Sequence, residues 1–471
     1  MTSDSLQALR QTLESFQQEH LLEHLDSLPA DRKAAFVAQL QSVDFGLVDC
    51  LWQQRHQQAE SETPAERAKR AHPPENLVRL PRSDADHAAF RKNANAGEEL
   101  LRNGRVAVIL VAGGQGTRLS FPQPKGMFPI GPVSGKSLFQ IFAEQIEARQ
   151  RRAGAIIPWY IMTSDATHDE TVAFFESQHY FRLSPEAVRF FRQGTMPALD
   201  AHTGQLLLAG PGELALSPDG HGGLLEALRR ADLFADMRRR GIEHLYYHQV
   251  DNPLAVVCDP TFLGLHLERR AEVSTKVVSK TSAEEKMGVL VSVDGRTQII
   301  EYSDLPAEIA NRRTASGDLE IWAGSTAIHV FERAFLERIA EDAHGLPFHV
   351  ALKKVPYLDA TCHVAEPDKP NAWKFERFIF DVLLVAERAL VVETDRATEF
   401  NPLKNSEGAH SPEDVRQRMS QLYARWLREA GRDVPDGTPV EISPLFALDA
   451  PECAARLGDR DLGSGPIYVA D

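Results

Sequence analysis

The most constraining stretch of this sequence is an unbroken apolar run, Val106-Ala107-Val108-Ile109-Leu110-Val111-Ala112, which opens directly into Gly113-Gly114-Gln115-Gly116-Thr117-Arg118-Leu119. Apolar residues without alternation read as a strand buried on both faces, the kind found centrally in a parallel sheet. Without Cβ atoms, Gly113, Gly114 and Gly116 can take positive φ and let backbone N–H groups approach an anion closely. Arg118 adds a planar fork of donors, and Lys125, in Pro124-Lys125-Gly126, a compact positive charge. The arrangement suits a polyphosphate whose reacting phosphorus is gripped from two sides.

Three ligand-binding readings compete for this loop. A dinucleotide fingerprint needs a third glycine where Leu119 stands. A Walker loop is approached further on by Gly131-Pro132-Val133-Ser134-Gly135-Lys136-Ser137, which falls one residue short. The nucleotidyltransferase signature, Gly-Gly-x-Gly-Thr-Arg-Leu with a lysine a few residues on, is met at every position.

With 471 residues the chain is long enough for a large core and two or three domains. A formal net charge of −15 argues against nucleic acid or an anionic membrane as a partner. A polyanionic substrate would then need a local basic cluster and a divalent cation. Cys50, Cys258, Cys362 and Cys453 are scattered, without a C-x-x-C pair, as in a reduced cytosolic protein. No signal peptide precedes Leu6 and no apolar run approaches about 18 residues, so the expected location is cytoplasmic. Nothing specifies an oligomeric state.

Residues 1 to about 58 read as helical, with Leu6, Leu9, Leu13 and Phe16 on one face, Leu21, Leu25 and Leu28 on another, and Asp31 as cap of a further helix. From Glu60 to His87 the chain turns polar, with four prolines, as an extended connector would. Helices and apolar strands then alternate. Strands are expected at Ile156 to Met162, Val188 to Phe191, Leu245 to Val250 and Leu390 to Thr394, and Lys276 to Ser279 is expected to pair with Gly288 to Val293. Helices are expected at Ser137 to Arg151, Thr167 to Ser177, Leu224 to Arg240 and around Phe375 to Arg388. This alternation predicts an α/β sheet with ligand loops at the strands' carboxyl ends. The tail from about 406 carries one amphipathic helix, Val415 to Glu429, and then irregular chain.

Several residues could bear chemistry. Asp251-Asn252-Pro253 ends a strand where a carboxylate can reach a phosphate-bound Mg²⁺, although Asp-Asn-Pro also makes plain turns. Gln193-Gly194, just past a strand, could read a base edge. Pro218-Asp219-Gly220-His221-Gly222-Gly223 is a second glycine-rich loop, fit for close backbone approach to a ligand. Glu301 at a strand end suits sugar hydroxyls or a cross-strand ion pair. His244 and His248 read as packing, Lys353-Lys354 as a solvated face, and Pro367 to Asn371 as a lid candidate. No Ser/His/Asp or Cys/His arrangement competes.

These motifs together resemble the UDP-N-acetylglucosamine pyrophosphorylase family, within the UTP–sugar-1-phosphate uridylyltransferases. The match runs from Gln18-Glu19-His20-Leu21-Leu22 through the loop Leu110 to Leu119, Pro124-Lys125-Gly126-Met127, Val250-Asp251-Asn252 and Glu301-Tyr302-Ser303. It continues to Lys353-Lys354-Val355-Pro356-Tyr357, Pro402-Leu403-Lys404-Asn405 and Glu441-Ile442-Ser443-Pro444-Leu445. The resemblance implies an α/β fold: a Rossmann-like nucleotidyltransferase (GT-A-like) central domain over 97–405, a helical N-terminal domain and connector over 1–96, and a C-terminal domain over 406–471. It implies the reversible reaction of UTP and a sugar 1-phosphate to a UDP-sugar and pyrophosphate, with Mg²⁺. Gly113, Gly114, Gln193 and Gly222 would hold uridine; Arg118, Lys125 and Lys404 the phosphates; Asp251 the metal; Glu301 the sugar.

The sequence departs from the family where sugar is recognised. The family's Gly-Asn-Gly-Gly is Gly220-His221-Gly222-Gly223 here, a second asparagine is Ser325, and a glycine after Arg118-Leu119 is Ser120. N-acetylglucosamine 1-phosphate is the favoured substrate, with glucose 1-phosphate or broad UDP-sugar activity open because of His221. The expected chemistry is in-line attack on the α-phosphorus without a covalent nucleophile.

Overall fold

The apolar run forms the strand Val106–Val111, buried along nearly all its length, and it pairs in parallel with Trp159–Thr163 on one side and His244–Gln249 on the other. The computed structural model describes residues 3–55, 62–342, 345–359, 361–463 and 465–471. Glu60, the expected start of the polar connector, lies outside the described residues. The chain makes two units, each of discontinuous stretches: 1–67, 194–224 and 346–381 in the first, and 68–193, 225–345 and 382–471 in the second. The boundaries expected at 96/97 and 405/406 both fall inside the second unit.

In the second unit the strands run in the order Leu77–Val78, Ala389–Glu393, Val273–Ser279, Ala323–Glu332, His244–Gln249, Val106–Val111, Trp159–Thr163, Val188–Arg192. All neighbours are parallel except Ala323–Glu332, which runs antiparallel between its two partners. The expected pairing of Lys276 to Ser279 with Gly288 to Val293 does not occur. Val289–Val293 instead turns back on Arg296–Ile300 through Asp294 and Gly295, at φ 52° and 76°. An Asp-Gly between apolar runs is a strong hairpin signal, and local pairing over two residues wins over distant pairing.

The tail is more ordered than its composition predicts. After the helix Pro412–Glu429 come the strand Val440–Ile442, the helix Ala450–Leu457 and the strand Ile467–Val469. Val415, Met419, Val440, Ile442 and Ile467 share one continuous core with Val108, Leu110 and Trp159. Two expected helices are corrected. Leu224 to Arg240 is broken into Leu224–Arg230 and Leu233–Arg239 at Asp232, whose φ of 54° no helix interior allows. Phe375 to Arg388 is the strand Ala372–Glu376 followed by short turns, because Ala372–Glu376 is the middle strand of a three-stranded sheet, between His349–Lys353 and Leu199–Asp200.

Two helices of the second unit cross backbone to backbone. A Cβ on Gly97, in Asp84–Arg102, would overlap the Pro260 carbonyl; one on Gly264, in Pro260–Glu268, would overlap that of Asn93. Alanine normally favours a helix by up to about 1 kcal/mol over glycine. Here overlap with a rigid backbone outweighs it, so Gly97→Ala is expected to destabilise by about 1–3 kcal/mol in urea denaturation. A gain in stability would mean the crossing is loose.

The first unit holds the helices Ser3–Ser15, His20–Ser27, Ala30–Ser42 and Phe45–Gln54, whose Leu13, Leu21, Phe36 and Leu40 pack with Leu199, Leu206 and Phe375. Asp31 is not a cap: Pro29 holds that position and Asp31 sits in the first turn. Buried Gln18 pairs its amide with the Gly204 carbonyl and the Leu206 N–H, tying helix to loop. The lid candidate is anchored, since the Asn371 amide donates to the Val355 carbonyl and accepts from its N–H. Among the described residues no single helix is long and apolar enough to cross a membrane.

Candidate active site

The turn after Val106–Val111 is closed by its own carbonyls. The Lys125 N–H donates to the Gly114 carbonyl at 3.1 Å, the Phe121 N–H to that of Gly116, and the Ser164 hydroxyl to that of Gly113 at 2.8 Å. The N–H groups of Gly113 and Gly114 have no acceptor among the described residues, so this end of the sheet presents donors. The expectation of positive φ is corrected, because none of Gly113, Gly114 and Gly116 has it. Space is the constraint instead: a Cβ on Gly116 would sit 2.7 Å from the Phe121 carbonyl, which no side chain tolerates, and one on Gly113 a tight 3.2 Å from Gln193 Oε1. The left-handed residue is Ser120, at φ 54°.

Lys125 begins a short 3₁₀ turn, and Gly126 behind it is flush against the Phe139 ring, which leaves no room for a side chain. Its ammonium lies 3.4 Å from the Leu403 carbonyl. Burial draws the Lys125 pKa below its ordinary value; Asp251 opposes this, while the Lys404 and Arg118 charges add to it. Four groups from three parts of the sequence therefore feel one another. The Leu403 N–H donates to the Asp251 carbonyl at 2.7 Å, which sets the Asp251 loop beside that of Lys404.

Glu301 and Ser325 meet at Gly288. The Ser325 N–H donates to the Gly288 carbonyl at 2.8 Å, and a Cβ on Gly288 would stand 3.0 Å from Glu301 Oε1. Nine predicted site residues thus belong to the second unit, while His221 and Gly222 belong to the first.

The second glycine-rich loop makes a close backbone approach within the chain itself. Gly220 (φ 82°) and Gly222 lie flat on the backbone of Arg377 and Phe378, with the Gly222 N–H donating to the Arg377 carbonyl at 2.8 Å. His221 stacks beside Phe378 and Phe380, and its Nδ1 accepts from the Ile379 N–H at 3.1 Å. Burial, with a lesser push from His349, lowers its pKa to about 4, so at neutral pH the ring is uncharged and carries its proton on Nε2. The other edge is already used, so His221 offers one donor.

The Walker-like loop is taken by the chain's own Glu441, whose Oε2 accepts from the Val133 and Ser134 N–H groups at 2.8 and 2.7 Å, while Lys136 pairs with Glu144 at 2.7 Å. His244 and His248 are packing residues: fully buried His248 lies against Phe142 and His244 against His266. The sequence reading missed a buried ionic triad. Lys276 Nζ stands 2.7 Å from Asp259 Oδ2 and 2.6 Å from Glu399 Oε1, behind the Asp251 loop. Its only signal is a lysine as the one charged residue of the strand Val273–Ser279.

A mostly parallel sheet with a donor-rich turn and a lysine–carboxylate cluster at one end defines a nucleotidyltransferase. A model of the UTP–glucose-1-phosphate uridylyltransferase family matches residues 53–425, and the chain belongs to that family. It is 36% identical over 501 aligned positions to human UDP-N-acetylhexosamine pyrophosphorylase-like protein 1, covering 99% of this chain and 98% of that one. It is 41% identical to the UDP-N-acetylglucosamine pyrophosphorylase of Saccharomyces cerevisiae, over 74% of this chain and 75% of that one. Among solved structures, the inhibitor complex of uridine diphosphate N-acetylglucosamine pyrophosphorylase from Trypanosoma brucei superposes with a TM-score of 0.85 at 26% identity, covering 100% of this chain and 99% of that one.

Proposed function

We propose that this enzyme transfers the uridylyl group of UTP to a sugar 1-phosphate, N-acetylglucosamine 1-phosphate by preference, with release of pyrophosphate. The observation that carries the reading is the pair of unaccepted N–H groups at Gly113 and Gly114 next to the Lys125, Arg118, Lys404 and Asp251 cluster. The first two bind anionic oxygen and Gln193 lies against them, suited to the uracil edge. Lys125, Arg118 and Lys404 offset the charge that builds up as a sugar phosphate approaches the α-phosphorus and pyrophosphate leaves in line. Glu301 accepts hydrogen bonds from sugar hydroxyls.

Among the described residues no group of three or more His, Cys, Asp or Glu side chains could hold a metal. A single carboxylate completed by phosphate oxygens is how Mg²⁺ is commonly bound, so Asp251 fits an ion that arrives with UTP. Such an ion would supply charge neutralisation on the phosphate oxygens. Gly222, on the family resemblance, contributes to uridine, and the working location is cytoplasmic. Pyrophosphate release from UTP with a panel of sugar 1-phosphates tests the reaction; no release with any of them overturns it.

His221 favours a second reading, with glucose 1-phosphate also used. One N–H donor in place of an asparagine amide, together with the shorter Ser325, loosens discrimination to about 1–3 kcal/mol. The double change His221→Asn, Ser325→Asn is expected to raise the kcat/KM ratio for the N-acetylated sugar over glucose 1-phosphate. An unmoved ratio would remove both residues from sugar selection.

A further inference from the structure

The catalytic reading uses Asp251, Lys125 and Lys404 but leaves unexplained what fixes their spacing. Asp251 and Lys404 stand on two loops that meet through a buried polar ladder. The Asn252 amide donates to the Glu399 carbonyl at 2.8 Å and accepts from the Asn401 N–H at 3.1 Å, and the next rung is the Leu403 N–H on the Asp251 carbonyl. Asn252, Glu399 and Asn401 are each at most 3% exposed. The Glu399 carboxylate then reaches across to the Asp251 loop, accepting from the Val256 N–H at 3.3 Å, from the Thr394 hydroxyl at 2.6 Å and from Lys276. From the Lys404 side Glu399 thus grips the Asp251 loop at two points, its carbonyl through Asn252 and its carboxylate through Val256.

We propose that Asn252 and Glu399 are positioning residues that set the Asp251 carboxylate against the Lys125 and Lys404 ammoniums. They touch no reacting group. The inference rests on the assignment of Asp251 to the metal. A bond made to two loops at once is stiffer than either loop alone, and Leu403, one residue before Lys404, also accepts from Lys125. Small displacements of preorganised charge are costly to rate.

Asn252→Ala removes the ladder's side-chain rungs while leaving the Leu403 bond. Its affinity for Mn²⁺ in the presence of UTP, read from the spin-resonance signal of free Mn²⁺, is expected to fall about 10-fold or more, as is kcat. KM for the sugar 1-phosphate should change far less. Thr394→Val, which takes one bond from the Glu399 carboxylate, should shift both in the same direction by less, and it decides the matter if Asn252→Ala does not fold. Asp251→Asn, run alongside, is expected to weaken Mn²⁺ binding and raise the Mg²⁺ requirement. A shifted Asp251→Asn beside folded but parent-like Asn252→Ala and Thr394→Val overturns the positioning proposal alone. An unmoved Asp251→Asn overturns the metal assignment and this inference with it.

Discussion

Lys125→Met is expected to lower kcat by about 10²–10³, roughly 3–4 kcal/mol of transition-state stabilisation, at saturating UTP and Mg²⁺. The melting temperature should hold or rise. Both effects would have one cause, a cation kept partly out of water beside two other cations, as the proposed phosphate role requires. Burial lowers the Lys125 pKa in the folded state, with Lys404 and Arg118 adding to the effect against Asp251. For a base with a lowered folded pKa, the charged form costs stability below that pKa, and the cost fades as pH rises from there towards the ordinary lysine value. At neutral pH the cost is present and methionine removes it, keeping most of the side-chain volume. The stability difference between variant and parent should therefore shrink in alkaline buffer, while parent turnover falls there as the ammonium is lost. Near-normal turnover of the variant, or a large loss of stability at pH 7, would show that Lys125 is structural.

The second large effect is on the fold. Lys276→Met is expected to destabilise by about 3–5 kcal/mol, because it leaves Asp259 and Glu399 buried without their cation. Lys276 is 2% exposed and also lies over the Phe262 ring, so methionine restores the packing and isolates the charge effect. Burial pushes the Glu399 pKa upward even with Lys276 in place. Without Lys276, both carboxylates should hold protons to higher pH than in the unfolded chain. The variant's deficit is then felt above their folded pKa values and shrinks as pH falls through them. Adding Glu399→Gln to Lys276→Met should recover part of the loss. Denaturant midpoints at pH 7 and in mild acid measure all three; a deficit under about 1 kcal/mol, or one that grows in acid, would contradict the triad's role.

What the sequence determined by itself is local in origin. The apolar run before Gly113 specifies a buried parallel strand because alternation is absent, whatever lies beyond it. Gly113, Gly116 and Lys125 stand out as a candidate turn for an anion because their chemistry is held within a dozen residues, and Asp251 stands out as a candidate because it comes just after a strand. Local reading also went wrong locally: the space around Gly116, not its dihedral freedom, demands glycine, and Asp294-Gly295 turned a distant pairing into a hairpin.

The tertiary structure alone decided the rest. Lys276 and Glu399 are 123 residues apart, and Asn252 and Glu399 147, so no window of sequence contains their partnership. Glu441 occupies a loop that looks fit for phosphate only because the tail packs into the central core. His221 keeps one donor because the Ile379 N–H, from a later stretch of the first unit, claims its other nitrogen. Periodicity and side-chain chemistry act over a few residues and survive in a string of letters. Burial, ion pairing and tautomer depend on which distant atoms arrive alongside, and only the folded register of strands and loops brings them there.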